Sequence, residues 1–165
     1  MTDLVRSRIG PPAINVNPDW GGTTGLESWF WYEGQDEVTA TAAIRGYSVT
    51  ATARPSRFYW DPCAGYEAPQ GYRTNGPRGC PALLESASPG RRPAHDGDGR
   101  EAAARFLYET RGTYEIRHQV VWDGTWSFTG PGGAIASGRL ATIRATSARP
   151  GYVVEEIRSE LHDGR

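Results

Sequence analysis

The feature that most constrains how this chain can fold is a two-residue alternation of apolar and polar side chains. From Tyr47 to Arg54 every second residue is apolar, and those between are Ser, Thr or Arg. Residues 38–45 and 114–122 follow nearly the same pattern, whereas helical periodicity is almost absent. Because a period of two places alternate side chains on opposite faces of a strand, the sequence predicts half-buried β-strands.

Short strands punctuated by Gly and Pro are predicted along most of the chain. Beyond the three runs above, the candidates are residues 13–17, 26–32, 57–60, 126–128, 138–146 and 152–157. Eight or nine short strands of this kind are typical of an antiparallel β-sandwich or barrel. We therefore expect an all-β fold in one domain that spans residues 1–165.

Three local signals refine this prediction. Asp123-Gly124 separates two alternating runs and predicts a hairpin with a tight turn. Arg45-Gly46 indicates either a turn between two paired strands or a bulge in one bent strand. Residues 98–108 form the one candidate helix, with Asp98 as its N-cap.

The hydrophobic content of the chain is aromatic rather than aliphatic. Leu, Ile, Val and Phe contribute only 26 of 165 residues, a fraction that by itself would indicate disorder. The net charge is only −1, however, and 6 Trp, 8 Tyr and 4 Phe supply large buriable side chains. We therefore expect a folded domain with an aromatic core.

Charge and hydropathy argue against nucleic-acid binding and against a membrane-spanning segment. All 18 basic residues are Arg, and 19 acidic residues balance them, so no electrostatic attraction to nucleic acid is expected. No stretch approaches the roughly 18–20 apolar residues that span a membrane. The first 25 residues also lack the apolar segment of an export signal.

A long Gly/Pro-rich insertion interrupts the strand pattern at about residues 62–100, where 13 of 39 residues are Gly or Pro. Cys63 and Cys80 lie 17 residues apart within it, a spacing that fits neither a CxxC pair nor a zinc ribbon. A disulfide that pins the first half of the insertion is the favoured interpretation, and two free thiols are the alternative. The second half, residues 86–99, has no predicted anchor.

Two motifs resemble the PKD (polycystic-kidney-disease) repeat family. They are Y-W-D at residues 59–61 and F-x-Y-x-x-x-G-x-Y-x-I at residues 106–116. The sequence departs from the family where P-C-A-G at 62–65 replaces F-G-D-G and where Phe106 replaces a His. Residues 25–31 and 153–159 are similar to segments that flank PKD-like regions in secreted or membrane-anchored actinobacterial proteins.

The resemblance implies an Ig-like β-sandwich in which Trp60 packs between the sheets and Tyr114 lies at a strand corner. It also implies an extracellular or cell-envelope module that contacts protein or polysaccharide and is not an enzyme. A disulfide would require the same oxidising compartment, although the chain as given carries no visible export signal.

The aromatic run at residues 29–32 supplies the candidate binding residues. Alternation sends Trp29 and Trp31 to one face of their strand, where an outward pair about 7 Å apart would form a stacking platform for sugar rings or a partner's apolar surface. The alternative is that the insertion at 62–100 folds over both rings. The covered arrangement is the favoured interpretation.

Candidate chemistry is sparse. No hydrolase, metalloprotease, P-loop or dinucleotide motif is present, and we expect no cofactor and no metal. The D-x-D-G run at 96–99 lacks the further ligands of a calcium loop and indicates a solvated loop, and His118, on an apolar strand face, indicates a hydrogen-bonded core residue.

The favoured hypothesis is a non-enzymatic contact module. The alternatives are a structural spacer between other domains and a small secreted glycan-active enzyme. The enzyme would need two carboxylates close together in space. Its candidates are Glu27, Glu33, Asp61 and Glu67.

Overall fold

The computed structural model describes residues 1–94 and 97–157, which form ten strands and one short helix. In chain order the elements are α1 (Thr2–Arg6), β1 (Asn15–Asn17), β2 (Gly22–Thr23), β3 (Glu27–Trp31), β4 (Val38–Ile44), β5 (Tyr47–Glu67), β6 (Leu84–Ser86), β7 (Ala104–Leu107), β8 (Gly112–Gly130), β9 (Gly133–Arg139) and β10 (Ile143–Glu155). The predicted all-β class is confirmed.

The strands form two sheets with a common core. One sheet has the order β1-β3-β7, and the other has the order β2-β10-β8-β5-β4, with β6 added to β5 and β9 added to β8. The pairs are antiparallel except for β2 with β10. Phe30 and Phe106 of the first sheet share a buried cluster with Trp60, Trp122 and Tyr152 of the second.

The core is aromatic, as the composition predicts. Trp60, Trp122, Tyr108, Tyr114 and Tyr152 are among the largest fully buried side chains. Burial raises the pKa of the Tyr108 and Tyr114 hydroxyls, so both stay neutral. Each donates to a backbone carbonyl, because a hydroxyl buried without an acceptor is costly.

Two long strands connect this core to a second region. β5 and β8 pair along almost their whole length, from Ser48 opposite Thr129 to Glu67 opposite Thr113. We call β4, residues 47–54 of β5, residues 123–130 of β8, and β9 the wing. The remainder of β5 and β8, together with β10 and the three-stranded sheet, is called the core half.

The predicted hairpin at Asp123-Gly124 is wrong, because β8 continues through both residues into the wing. Gly124 is needed for close approach rather than for a turn: a Cβ there would collide with the Thr52 carbonyl of β5. The reversal lies between Gly130 and Gly133 instead. At Arg45-Gly46 the two-strand interpretation is correct, and both residues have the positive φ of a tight hairpin turn, 49° and 82°.

The predicted helix at residues 98–108 is also wrong. Asp98 accepts a hydrogen bond from the Arg100 backbone N–H at 3.1 Å, which makes a local turn rather than a helix cap. β7 then pairs with β3 and buries Phe106 against Tyr108, with ring centroids 4.7 Å apart. Packing therefore overrides the local helix preference of the alanine-rich run.

Two strand boundaries also differ from prediction. The runs at 47–54 and 57–60 belong to one strand, β5, with a register shift between Pro55 and Arg57. Conversely, the predicted strand at 138–146 is broken, because β9 ends at Arg139 and β10 begins at Ile143.

The described residues of the insertion at 62–100 are more ordered than predicted. Its first residues continue β5 to Glu67, and β6 pairs back onto β5. The predicted disulfide is confirmed: Cys63 and Cys80 are bonded, with their Cα atoms 6.0 Å apart. The second half is anchored after all, since the Tyr32 N–H donates to the Pro89 carbonyl at 2.8 Å.

Candidate functional site

Trp29 and Trp31 lie on one face of β3, but they do not form an open platform. Trp31 is only 6% exposed, and Trp29 is half-buried. Gly99, at the end of the insertion, lies so close to the Trp29 ring that a Cβ there would collide with it. Trp31 therefore has too little free surface to stack on a ligand, and Gly99 of the insertion lies against the Trp29 ring.

The four carboxylates considered for glycan chemistry lie in separate structural settings. The Trp31 indole N–H donates to Glu33 at 2.8 Å, and the Trp29 indole N–H donates to Glu27 at 3.3 Å. Asp61 accepts the Cys63 backbone N–H at 3.0 Å. Glu67 is the last residue of β5, opposite Thr113. Three of the four carboxylates therefore accept hydrogen bonds from residues two positions away in the sequence.

His118 is a core residue, as predicted. Its imidazole stacks on Trp60 with ring centroids 4.6 Å apart, and Nδ1 lies 2.9 Å from the Tyr59 carbonyl. Burial lowers the pKa of His118 to about 4, so the ring is neutral at pH 7 and Nδ1–H is the donor.

Within residues 1–94 and 97–157 no three His, Cys, Asp or Glu side chains are grouped to hold a metal ion. His95 and Asp96, the latter the first residue of the D-x-D-G run, lie outside the described residues, as does His162.

The wing exposes large apolar side chains on one face. Ile44 is 71% exposed, Ile135 56% and Tyr47 44%. Tyr47 is the cross-strand neighbour of Ile44 and stacks on Phe128, with ring centroids 5.8 Å apart. A Cβ at Gly130 would lie 2.8 Å from Ile135 and 2.9 Å from Tyr47, so glycine lets these two side chains converge. We call Ile44, Tyr47, Phe128 and Ile135 the apolar patch.

Next to the apolar patch, the same face of the wing is covered. Helix α1 contacts β4 and β5, and Val5 is fully buried in one cluster with Ala40 and Ala51. A groove of about 400 Å³ lies between, lined by Met1 of the N-terminus and by Phe128 of the patch. The apolar surface therefore continues from the patch towards the helix.

The opposite face of the wing is a ladder of hydroxyl groups. The register places Thr39, Thr52 and Thr125 in one row across the strands. The next row contains Thr41, Thr50, Ser127 and Ser137. Hydroxyl pairs join the strands, at 3.1 Å for Thr39 with Thr52 and 3.0 Å for Thr41 with Thr50.

A polar groove of about 640 Å³ lies at the end of this ladder. Thr52 and Thr125 line it together with Arg54, Arg139 and Asp123. Glu37 forms an ion pair with Arg54 at the rim of this groove. Hydroxyl, guanidinium and carboxylate groups can together exchange hydrogen bonds with a polyhydroxylated ligand.

Neither a family model, nor a curated protein, nor a solved structure matches this chain. In the part of the chain that the structure describes, no helix has the length and apolar character to cross a membrane.

Sequence reasoning missed both surfaces of the wing, although the signal was present. The alternation at residues 38–54 already assigned Tyr47 and Val49 to one face and Thr50 and Thr52 to the other. What it lacked was the continuation of β8 past Gly124, which brings Phe128 and Ser127 beside them.

Proposed function

We propose that this chain is a PKD-like module with an Ig-like β-sandwich fold, which acts at the cell envelope or cell exterior by binding another protein and is not an enzyme. The apolar patch on the wing is the contact surface. Exposed groups of large apolar side chains on a folded domain are the usual mark of a protein-contact site, because water-exposed apolar area is costly. This exposure is the observation that carries the proposal.

The Ig-like assignment is supported by one hydrogen bond above all. The Tyr114 hydroxyl donates to the carbonyl of Thr110, four residues upstream, at 2.6 Å. A tyrosine that bonds back to the backbone just upstream is a recurring corner of Ig-like sandwiches. Trp60 and Ile116 are both 0% exposed, in keeping with the positions that the PKD resemblance gives them.

The extracytoplasmic location is supported by the Cys63–Cys80 disulfide, since such bonds persist in oxidising compartments. A binding rather than catalytic role is supported by the structural partners of Glu27, Glu33 and Asp61. A passive spacer between other domains would have no use for an exposed aromatic side chain such as Tyr47, which stacks on the half-buried Phe128.

Site-specific photo-crosslinking in cells that make the protein tests this proposal. A benzophenone amino acid replaces Tyr47 in the patch and, as the matched control, Thr50 on the opposite face of the same strand. Discrete adducts with another protein are expected at position 47 and not at position 50. Equal labelling at both positions, or none at 47, would contradict the proposal.

Polysaccharide contact is a second candidate function, favoured by the polar groove beside Arg139 and Thr125. Arg139→Ala is expected to weaken retention on a cell-wall polysaccharide column and to leave cross-linking at position 47 unchanged. Equal retention of the wild type and of the Arg139→Ala variant would contradict this candidate function.

A further inference from the structure

Among the described residues β4 is an outer strand of the seven-stranded sheet with no strand on its far side, and its outward backbone groups can be assigned. It pairs with β5 on one side. On the other side Arg8 Nη1 donates to the Thr39 carbonyl at 2.9 Å, so that carbonyl points away from β5. Because backbone groups alternate along a strand, those of Thr41 and Ala43 point outward as well.

Apart from Arg8 on the Thr39 carbonyl, the strand lacks the usual devices that prevent edge-to-edge association. Val38–Ile44 contains no charged residue and no Pro, and its seven residues pair with β5 without a bulge. The other outer strand of the wing, β9, is interrupted by a bulge opposite Phe128 and Thr129 and ends in Arg139. β4 is therefore the edge better suited to pairing.

The sequence of β4 is also complementary to itself. We propose that two copies of this chain associate through β4, antiparallel, with Thr41 of each copy opposite Thr41 of the other. In this register Val38 lies opposite Ile44 and Ala40 opposite Ala42, so apolar side chains meet on one face. The N–H and carbonyl of Thr41 and the bond from the Thr39 N–H to the Ala43 carbonyl form the new ladder, whereas the Thr39 carbonyl already accepts from Arg8.

Such pairing closes on itself, because both copies use the same strand about a two-fold axis. It joins two four-stranded wings into one sheet and places both apolar patches on the same side. The inference goes beyond the proposed function and does not depend on it, since it needs no second protein.

Sedimentation velocity of the purified chain tests the association. Thr41 and Thr50 are hydrogen-bonded to each other, so Thr41→Lys and Thr50→Lys lose the same contact and add the same charge. Only at position 41 do the two added charges meet across the axis. Wild type is expected to show a reversible dimer, Thr41→Lys to raise its Kd at least about tenfold, and Thr50→Lys to raise it less than about threefold.

A wild-type chain that stays monomeric up to about 0.5 mM, or equal effects of both lysines, would overturn the proposal. Removing the hydrogen bond from Arg8 to the Thr39 carbonyl is expected to change the Kd in the opposite direction. Arg8→Ala frees that carbonyl for Ala43 of the second copy and is expected to lower the Kd, so a raised Kd would contradict the register.

A short bismaleimide reports the register directly. Thr41→Cys places two thiols at a hydrogen-bonded antiparallel pair, whose Cα atoms are about 5.5 Å apart. Thr50→Cys places them three strand spacings, or about 14 Å, apart. Covalent dimer is expected for position 41 alone; comparable cross-linking at position 50 would refute this register. Cross-linking to other proteins at Tyr47 is a separate measurement, so either proposal can fail without the other.

Discussion

The core half and the wing are built from the same two strands, but they bury their inner faces to different extents. In the core half the inward residues of β5 and β8 include Trp60 and Trp122, which are 0% and 2% exposed. In the wing the corresponding face carries Val49 and Phe128, which are half-buried, and Tyr47, which is 44% exposed. β8 keeps the same alternation through both halves, and β5 resumes it after the register shift between Pro55 and Arg57, so the strand pattern itself does not cause the difference.

The difference comes from what lies opposite each half. In the core half the three-stranded sheet lies opposite β5 and β8 and contributes Phe30 and Phe106 to the common cluster. The wing has α1 over its first rows, where the small side chains of Ala40 and Ala51 fit beneath Val5. Farther out, the large side chains of the apolar patch retain exposed surface. Strand alternation thus selects the face, and the opposing layer decides whether that face is core or contact surface.

The largest expected effect tests this contrast with one pair of substitutions. Trp60→Ala removes a fully buried indole and is expected to cost about 3–5 kcal/mol of unfolding free energy. Phe128→Ala removes a half-buried ring from the wing and is expected to cost about 1 kcal/mol. Urea denaturation of both variants measures the difference, and equal losses would mean that the wing is as tightly packed as the core half.

The disulfide belongs to the core half, and its removal should be felt there. The double variant Cys63→Ser with Cys80→Ser is expected to lose about 3 kcal/mol, because the bond closes a loop of 17 residues. Amide hydrogen exchange locates the effect: faster exchange is expected at residues 61–67 of β5, with the sub-global opening of β4 unchanged. Equally faster amide exchange in both halves would indicate that the core half and the wing differ in their side chains only and open as one unit.

The buried histidine makes the core half sensitive to acid. The pKa of His118 is about 4 in the folded chain and about 6.5 when unfolded, so between these values the unfolded state binds more protons. Stability is therefore lost as pH falls below about 6.5, by about 2 kcal/mol between pH 7 and pH 5. Urea denaturation at the two pH values measures this loss, and His118→Phe, which cannot titrate, should flatten it. An unchanged slope in that variant would assign the acid sensitivity to other groups.

Sequence pattern identified strands where alternation and burial agree, and it failed where a local signal had a second physical cause. Val38–Ile44 and its turn were predictable because the hydrophobic period and the Arg-Gly pair are both local features. Gly124 resembled a turn residue, yet it serves the close approach of Thr52, which lies far along the chain.

The candidate site shows the same limit. The sequence assigned Trp29 and Trp31 to one face and favoured a cover by the insertion, but it could not show that Gly99 provides that cover at Trp29, because this depends on the path of a long segment. The exposure of Ile44 and Ile135 was equally hidden, because a pattern states which way a side chain points and not what lies above it.

Substitution of Tyr47 is expected to change the unfolding free energy least and binding to a partner protein most. Tyr47→Ser removes a side chain that is 44% exposed and stacks only on Phe128, so we expect a loss below about 1 kcal/mol. A benzophenone amino acid in place of Ile135, the adjoining member of the apolar patch, reports binding in the same variant. If the patch is a contact surface, Tyr47→Ser should reduce the adducts from position 135 several-fold, while the melting temperature of the purified protein changes little.

Thr50→Ser, on the other face of the same strand, is the control and should leave both quantities unchanged. If Tyr47→Ser instead destabilised the chain as strongly as Trp60→Ala, Tyr47 would be a packing residue, and the wing would differ from the core half in composition but not in role.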